Sequence, residues 1–123
     1  MSEKILIADD AAFMRIVLKS TLNEAGYDRI IEAKTGREAL TMYKVEHPAV
    51  VLLDVTMPDM DGIETLKQIK RIDPDANVVM CSSMGQEDVV VSCFEMGACD
   101  FVMKPFKSER VVQAVSKFIK TEE

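Results

Sequence analysis

Five short apolar runs alternate with five amphipathic stretches, and this alternation limits the fold more than any other feature of the chain. The runs are Lys4–Ala8, Arg29–Ala33, Val50–Asp54, Val78–Cys81 and Ala98–Met103. Each is of strand length, Arg29–Ala33 the weaker in pattern, and the uncharged lead of Val50–Asp54 reads as a strand covered on both faces. Between them apolar residues recur at helical spacing. Met14, Val17, Leu18, Thr21 and Ala25 form the first stripe, with Gly26 as a left-handed cap. Thr35-Gly36-Arg37-Glu38 is a capping box opening the second, with Ala39, Met42 and Tyr43 inward and Pro48 closing the unit. Ile63, Leu66, Ile69 and Lys70 form the third, stopped near Pro74. The fourth runs from about Glu87 to Met96 and closes at Gly97. Ser108 is expected to cap the fifth, with Val111, Val112, Val115, Phe118 and Ile119 inward. Strands joined by helical crossovers pair in parallel, and right-handed crossovers place helices on both faces. The expectation is one doubly wound α/β domain with a five-stranded parallel sheet.

The 123 residues suit a single domain. No run approaches the ~20 apolar residues of a membrane span. The first ten residues end in two acids and lack a signal-peptide pattern. A cytoplasmic protein without membrane association is expected. Cys81, Cys93 and Cys99 fit no zinc spacing and read as reduced core thiols. The nine methionines read mostly as core filler. A net charge of −6 argues against nucleic acid as a partner. His47 pairs with no nucleophile and is expected at the surface.

In open sheets of this kind, ligands bind beyond the carboxyl ends of the strands. The first run ends at Asp9 and Asp10, the third at Asp54, the fourth at Ser82 and the fifth at Lys104. Each residue alone has an ordinary structural role open to it: a helix cap, a turn hydroxyl or a solvated lysine. Their convergence on one edge outweighs those roles. Two unit charges ~4 Å apart repel by about 4 kcal/mol at an effective dielectric near 20, so three gathered acids call for a cation or for shifted pKa values. Mg²⁺ suits them, since it takes one or two carboxylates and leaves positions for phosphate oxygens. Lys104 can pair with one acid and hold a phosphoryl oxygen, and Ser82 can donate to another. Asp54 is then free to accept a phosphoryl group as an acyl phosphate.

Asp9-Asp10, Asp54, the stretch Met57-Pro58-Asp59-Met60-Asp61-Gly62, Ser82 and Lys104-Pro105-Phe106 together resemble a response-regulator receiver domain across the whole chain. Asp9–Arg15 and Met80–Gly85 resemble more narrowly the single-domain receivers of bacterial chemotaxis. The resemblance implies a flavodoxin-like (βα)5 fold of strand order 2-1-3-4-5, spanning residues 1–123 with no output domain. It implies that Asp54 takes a phosphoryl group from a histidine kinase of the CheA type. Asp9, Asp10, Asp54 and the Thr56 backbone carbonyl would surround Mg²⁺. Ser82 and Lys104 would contact the bound phosphoryl group, and Phe101 would turn inward as Ser82 moves. The partner would be a flagellar motor switch protein of the FliM type, bound by a monomer. Lys104-Pro105 would be cis. Thr56 and Met84 would flank the acyl phosphate and tune its loss. Met84 cannot orient a water by hydrogen bonding, so slow self-dephosphorylation is expected, leaving use for a phosphatase. No enzyme activity beyond this self-directed chemistry is expected.

Three other readings compete. A phosphorelay intermediate would pass the group to a histidine phosphotransfer protein. A metal-dependent aspartyl-phosphate phosphohydrolase would carry a second acid where Thr56 stands. A flavodoxin-like cofactor binder would carry a glycine-rich loop where Asp9 and Asp10 stand.

Overall fold

The computed structural model describes residues 3–83 and 85–119. Strand and helix alternate throughout: β1 (Ile5–Ala8), α1 (Ala12–Glu24), β2 (Ile30–Ala33), α2 (Gly36–Glu46), β3 (Val50–Asp54), α3 (Gly62–Ile72), β4 (Val78–Ser82), α4 (Glu87–Glu95), β5 (Asp100–Met103) and α5 (Ser108–Ser116). All pairings are parallel and the strand order is β2-β1-β3-β4-β5, as expected.

Every residue of β1, β3 and β4 is buried, which explains why they carry no charge before Asp54 at the end of β3. Successive side chains alternate between two cores. Leu6, Ala8, Val51, Leu53, Val78 and Met80 pack beneath α2, α3 and α4. Ile5, Ile7, Val50, Leu52, Val79 and Cys81 pack beneath α1 and α5. The register sets Asp54 opposite Cys81 and Ser82 opposite Met103, so the polar strand ends share one edge.

The turns follow from local chemistry. Gly26 and Gly97 have φ of 99° and 104°, left-handed values that relieve the strain a Cβ would cause. Thr35 Oγ1 accepts from the Glu38 N–H at 3.0 Å. Glu38 Oε1 accepts in return from Lys34 N–H at 2.7 Å, one residue before the expected amide. The exposed His47 closes α2 in a left-handed conformation.

Four expectations need correction. Strands β1, β2 and β5 start later than expected, at Ile5, Ile30 and Asp100, while β4 runs on to Ser82. The inner face of α1 centres on Arg15, Leu18 and Leu22, with Met14, Val17, Thr21 and Ala25 only half-buried. Hydrophobicity alone omitted Arg15, whose guanidinium donates to the buried Asp9 carbonyl. Ser108 is already helical, because the extended residue before α5 is Lys107, and no side chain caps that end. Among the described methionines only Met57 and Met80 are buried, while Met96 and Met103 are exposed. Flexible methionines are tolerated at the loop-rich strand ends as readily as in the core. Thr35→Ala is therefore expected to cost about 1 kcal/mol. Ser108→Ala should stay within about 0.5 kcal/mol of the parent. Urea denaturation of both variants measures the difference.

Candidate functional site

The carboxylate oxygens of Asp9, Asp10 and Asp54 come within 4.8 Å of one another at the carboxyl edge of the sheet. Asp9 and Asp54 are 2% and 6% exposed, whereas Asp10 faces solvent. The Lys104 ammonium lies 3.0 Å from Asp9 Oδ2 and 3.2 Å from Asp54 Oδ1. It thus bridges two acids, where the sequence suggested a pair with one. Its side chain is only 18% exposed, which removes the solvated-loop alternative.

The backbone fixes these groups. Asp9 Oδ1 accepts from the Ala11 N–H at 2.9 Å, which directs the other oxygen to Lys104. The Lys104 N–H donates to the Ser82 carbonyl at 2.9 Å, joining the ends of β4 and β5. The Lys104-Pro105 peptide is cis, as the resemblance implied. The Phe106 ring centroid lies 6.0 Å from the ammonium, within cation–π range. A Cβ at Gly62 would overlap the Asp54 carbonyl oxygen. Glycine there lets the loop after β3 fold back, and Gly62 N–H donates to the Val55 carbonyl at 2.7 Å.

Burial pushes the Asp54 carboxyl above its ordinary value, and the Asp9 charge adds to the rise. Lys104 and the Thr56 amide pull it down without cancelling the rise. Burial pushes the Lys104 ammonium down, but its bond to Asp9 and the attraction of Asp54 outweigh that and hold it above the ordinary value. Three carboxylates against one ammonium leave an excess of negative charge in a largely desolvated pocket. Hard oxygen donors with that excess fit a small divalent cation such as Mg²⁺.

Ser82 is buried at the end of β4, on the same edge. Thr56 is exposed beyond Asp54. Phe101 is half-buried on β5 and packs against the core beneath α2, α3 and α4. The structure therefore brings Asp9, Asp10, Asp54, Ser82 and Lys104 to one edge and sets Phe101 one strand length away. Met84 lies outside the described residues.

Sequence reasoning missed Arg15 and Glu32. Arg15 Nη1 donates to the Asp9 carbonyl at 2.7 Å, and its Nε lies 3.0 Å from Glu32 Oε1 on β2. Lys19 approaches the same carboxylate at 3.6 Å. The outer strand thus supports the acid pair through α1. A charged residue three and seven positions before Leu18 and Leu22 on the buried face was the available signal. Arg15→Met is expected to cost about 2 kcal/mol, since it leaves a buried carbonyl without its charged donor. Equilibrium unfolding in urea checks this.

The fold and this edge define a class of protein. The chain matches the response regulator receiver domain family over residues 5–116, and it belongs to that family. It is 48% identical over 120 residues to the chemotaxis protein CheY of Thermotoga maritima, covering 98% of this chain and 100% of that one. It is 47% identical to the chemotaxis protein CheY of Bacillus subtilis, covering 95% and 98% of the two chains. Among solved structures it resembles the CheX–CheY complex with beryllofluoride and Mg²⁺ from Borrelia burgdorferi. That match has a TM-score of 0.90 and 37% identity and covers 96% of this chain and 90% of the other. The chain is a CheY-like receiver domain with a phosphoacceptor role in two-component signalling. Among the described residues no helix is long and apolar enough to cross a membrane.

Proposed function

We propose that the chain is a phosphorylation-switched binding module of cytoplasmic chemotaxis signalling, with Asp54 as the acceptor. The observation that carries this reading is the Lys104 ammonium set between Asp9 and Asp54 on a shared, largely buried edge. A carboxylate so held is oriented and screened from water.

Asp9, Asp10, Asp54 and the Thr56 carbonyl would hold Mg²⁺, which supplies charge neutralisation for incoming phosphoryl oxygens. The acid cluster supports this, as does the Mg²⁺ named with the Borrelia relative. An Asp54 oxygen attacks the phosphorus of a phosphohistidine on a CheA-type kinase. The P–N bond breaks, the imidazole leaves with a proton drawn from water, and an acyl phosphate forms. The Lys104 ammonium then pairs with one phosphoryl oxygen, and the Ser82 hydroxyl donates to another. Water later cleaves the acyl phosphate, beside the exposed Thr56. The chain's own catalysis is limited to this gain and loss.

The output is a change in partner affinity. Val91, Phe94, Met96 and Met103 are exposed on and beside α4 and β5, the strand that carries Phe101. An apolar surface of this kind suits a peptide partner. The relatives named as chemotaxis proteins support a FliM-type motor switch protein as that partner. The test measures binding of a motor-switch peptide to the chain with and without phosphorylation. Phosphorylation is expected to tighten binding about tenfold, a gap of roughly 1.4 kcal/mol. Phe101→Ala should take up phosphate normally yet lose that gain. Equal affinity in both states would overturn the reading.

A further inference from the structure

The sheet edge beyond β5 carries a charged assembly that the phosphoacceptor chemistry does not use. Arg110, in the first turn of α5, forms a two-pronged pair with Asp100. Its Nη2 lies 2.6 Å from Oδ1 and its Nη1 3.1 Å from Oδ2. Nη2 also donates to the carbonyl oxygen of Phe101 at 3.0 Å. The Phe101 N–H donates to Asp100 Oδ1 at 2.8 Å. Both backbone polar groups of Phe101 are therefore held by one ion pair. Lys117 Nζ, 3.4 Å from Asp100 Oδ2, and Gln113 Oε1, 3.4 Å from Arg110 Nη1, complete it.

The position makes this more than surface decoration. β5 is the edge strand, with a neighbour on one side only. Its open side has no ladder to fix the backbone. The Asp100 side chain is 13% exposed and the Arg110 side chain 35%, so solvent screens the pair only in part. A planar guanidinium holding a carboxylate and a carbonyl at once resists sliding as a lysine could not. Burial alone would push the Asp100 carboxyl up, but Arg110 and the Phe101 amide hold it below its ordinary value.

We propose that Asp100 and Arg110 are positioning residues that clamp the Phe101 backbone, so that phosphorylation is read out as movement of its ring. The inference rests on the switching role of Phe101 proposed above. Phe101 has no hydroxyl to hydrogen-bond in either position, so its ring is placed by packing alone. With a loose backbone, displacement at Ser82 and Lys104 would be absorbed as drift of the β5 edge. With the backbone pinned to α5, the displacement reaches the side chain. The same pair delivers the positions of Arg110 and Lys117 on α5 to the strand that carries the switch.

The test uses fluorophenylalanine placed at Phe101 and fluorine NMR of the full chain, with and without Mg²⁺ and beryllofluoride. Amide exchange at Phe101 is measured alongside. In the parent, beryllofluoride is expected to give a separate, shifted resonance. Arg110→Met and Arg110→Lys should exchange the Phe101 amide about tenfold faster, as loss of a charge-assisted bond implies. They should also lose at least half of the beryllofluoride shift. Arg110→Lys keeps the charge, so its failure to restore the parent shift assigns the effect to geometry. Tyr43→Phe, which loses the bond from α2 to Asp73 and leaves the Asp100–Arg110 pair intact, serves as the control and should keep the parent shift. A parent shift retained in both Arg110 variants would overturn the clamp and leave the switch standing. A parent with no shift at all would overturn the switching role of Phe101 itself.

Discussion

Asp54→Asn is expected to leave the chain unable to take up a phosphoryl group and, at neutral pH, harder to unfold than the parent. The first effect follows from chemistry, since a neutral amide offers no carboxylate oxygen for an acyl phosphate. The second follows from electrostatics. The Asp54 carboxyl is held above its ordinary value of 3.8, chiefly by burial and then by the Asp9 charge. A carboxyl raised in this way binds its proton more tightly in the folded chain than in the unfolded one. Its charge thus opposes folding at every pH above the folded value and has no effect below 3.8. Asn removes that penalty. The variant should unfold a few degrees higher at neutral pH. The gap should close as the solution is acidified through the folded pKa. Mg²⁺ should narrow it too, by stabilising the parent through the intact acid cluster. Thermal unfolding across pH, with and without Mg²⁺, measures all three trends. A variant less stable than the parent at neutral pH would contradict this account of the site.

Lys104→Met should have the opposite effect on stability. It retains most of the stem but leaves Asp9 and Asp54, 2% and 6% exposed, without their shared cation. Removing one member of a largely buried ion pair costs about 3 kcal/mol at neutral pH. The pH dependence has two arms. On the acid side the loss should shrink, because the Asp54 carboxyl, held above its ordinary value, takes up its proton and no longer needs a partner. On the alkaline side the ammonium is held above its ordinary 10.5, so its contribution is fully present below 10.5. It disappears as the pH rises through the folded value. The parent and the variant should therefore converge at both extremes and differ most between them. Phosphoryl uptake from acetyl phosphate should slow by about tenfold without stopping, since Asp54 remains but the incoming oxygens lose an electrostatic partner. Urea midpoints across pH, together with the uptake rate, check both claims. A flat pH profile would mean that Lys104 is not the counter-charge.

The sequence and structure agree where one physical rule operates at a time. The alternation of short apolar runs and helical stripes was enough for the topology, because buried parallel strands such as Val50–Asp54 tolerate no charge until they end. The strand-end rule then collected Asp9, Asp10, Asp54, Ser82 and Lys104 without any structural input. What escaped depended on side chains reaching across elements. Arg15 lies on the buried face of α1, where a hydrophobic count passes over it, and only the fold shows its bond to the Asp9 carbonyl. Asp100 and Arg110 are ten residues apart on different elements, and neither shows a partner within its own pattern. The expected Ser108 cap failed for a subtler reason. Lys107 takes the extended conformation, so the helix has already begun at Ser108.

The most direct test of the central claim is transfer of radiolabelled phosphoryl group from a phosphorylated CheA-type kinase to the chain in the presence of Mg²⁺, with the label located by peptide mapping. The predicted result is a single alkali-labile label on Asp54 that is lost in Asp54→Asn and on chelation of Mg²⁺. Label carried undiminished by Asp54→Asn, or no transfer to the intact parent, would contradict it.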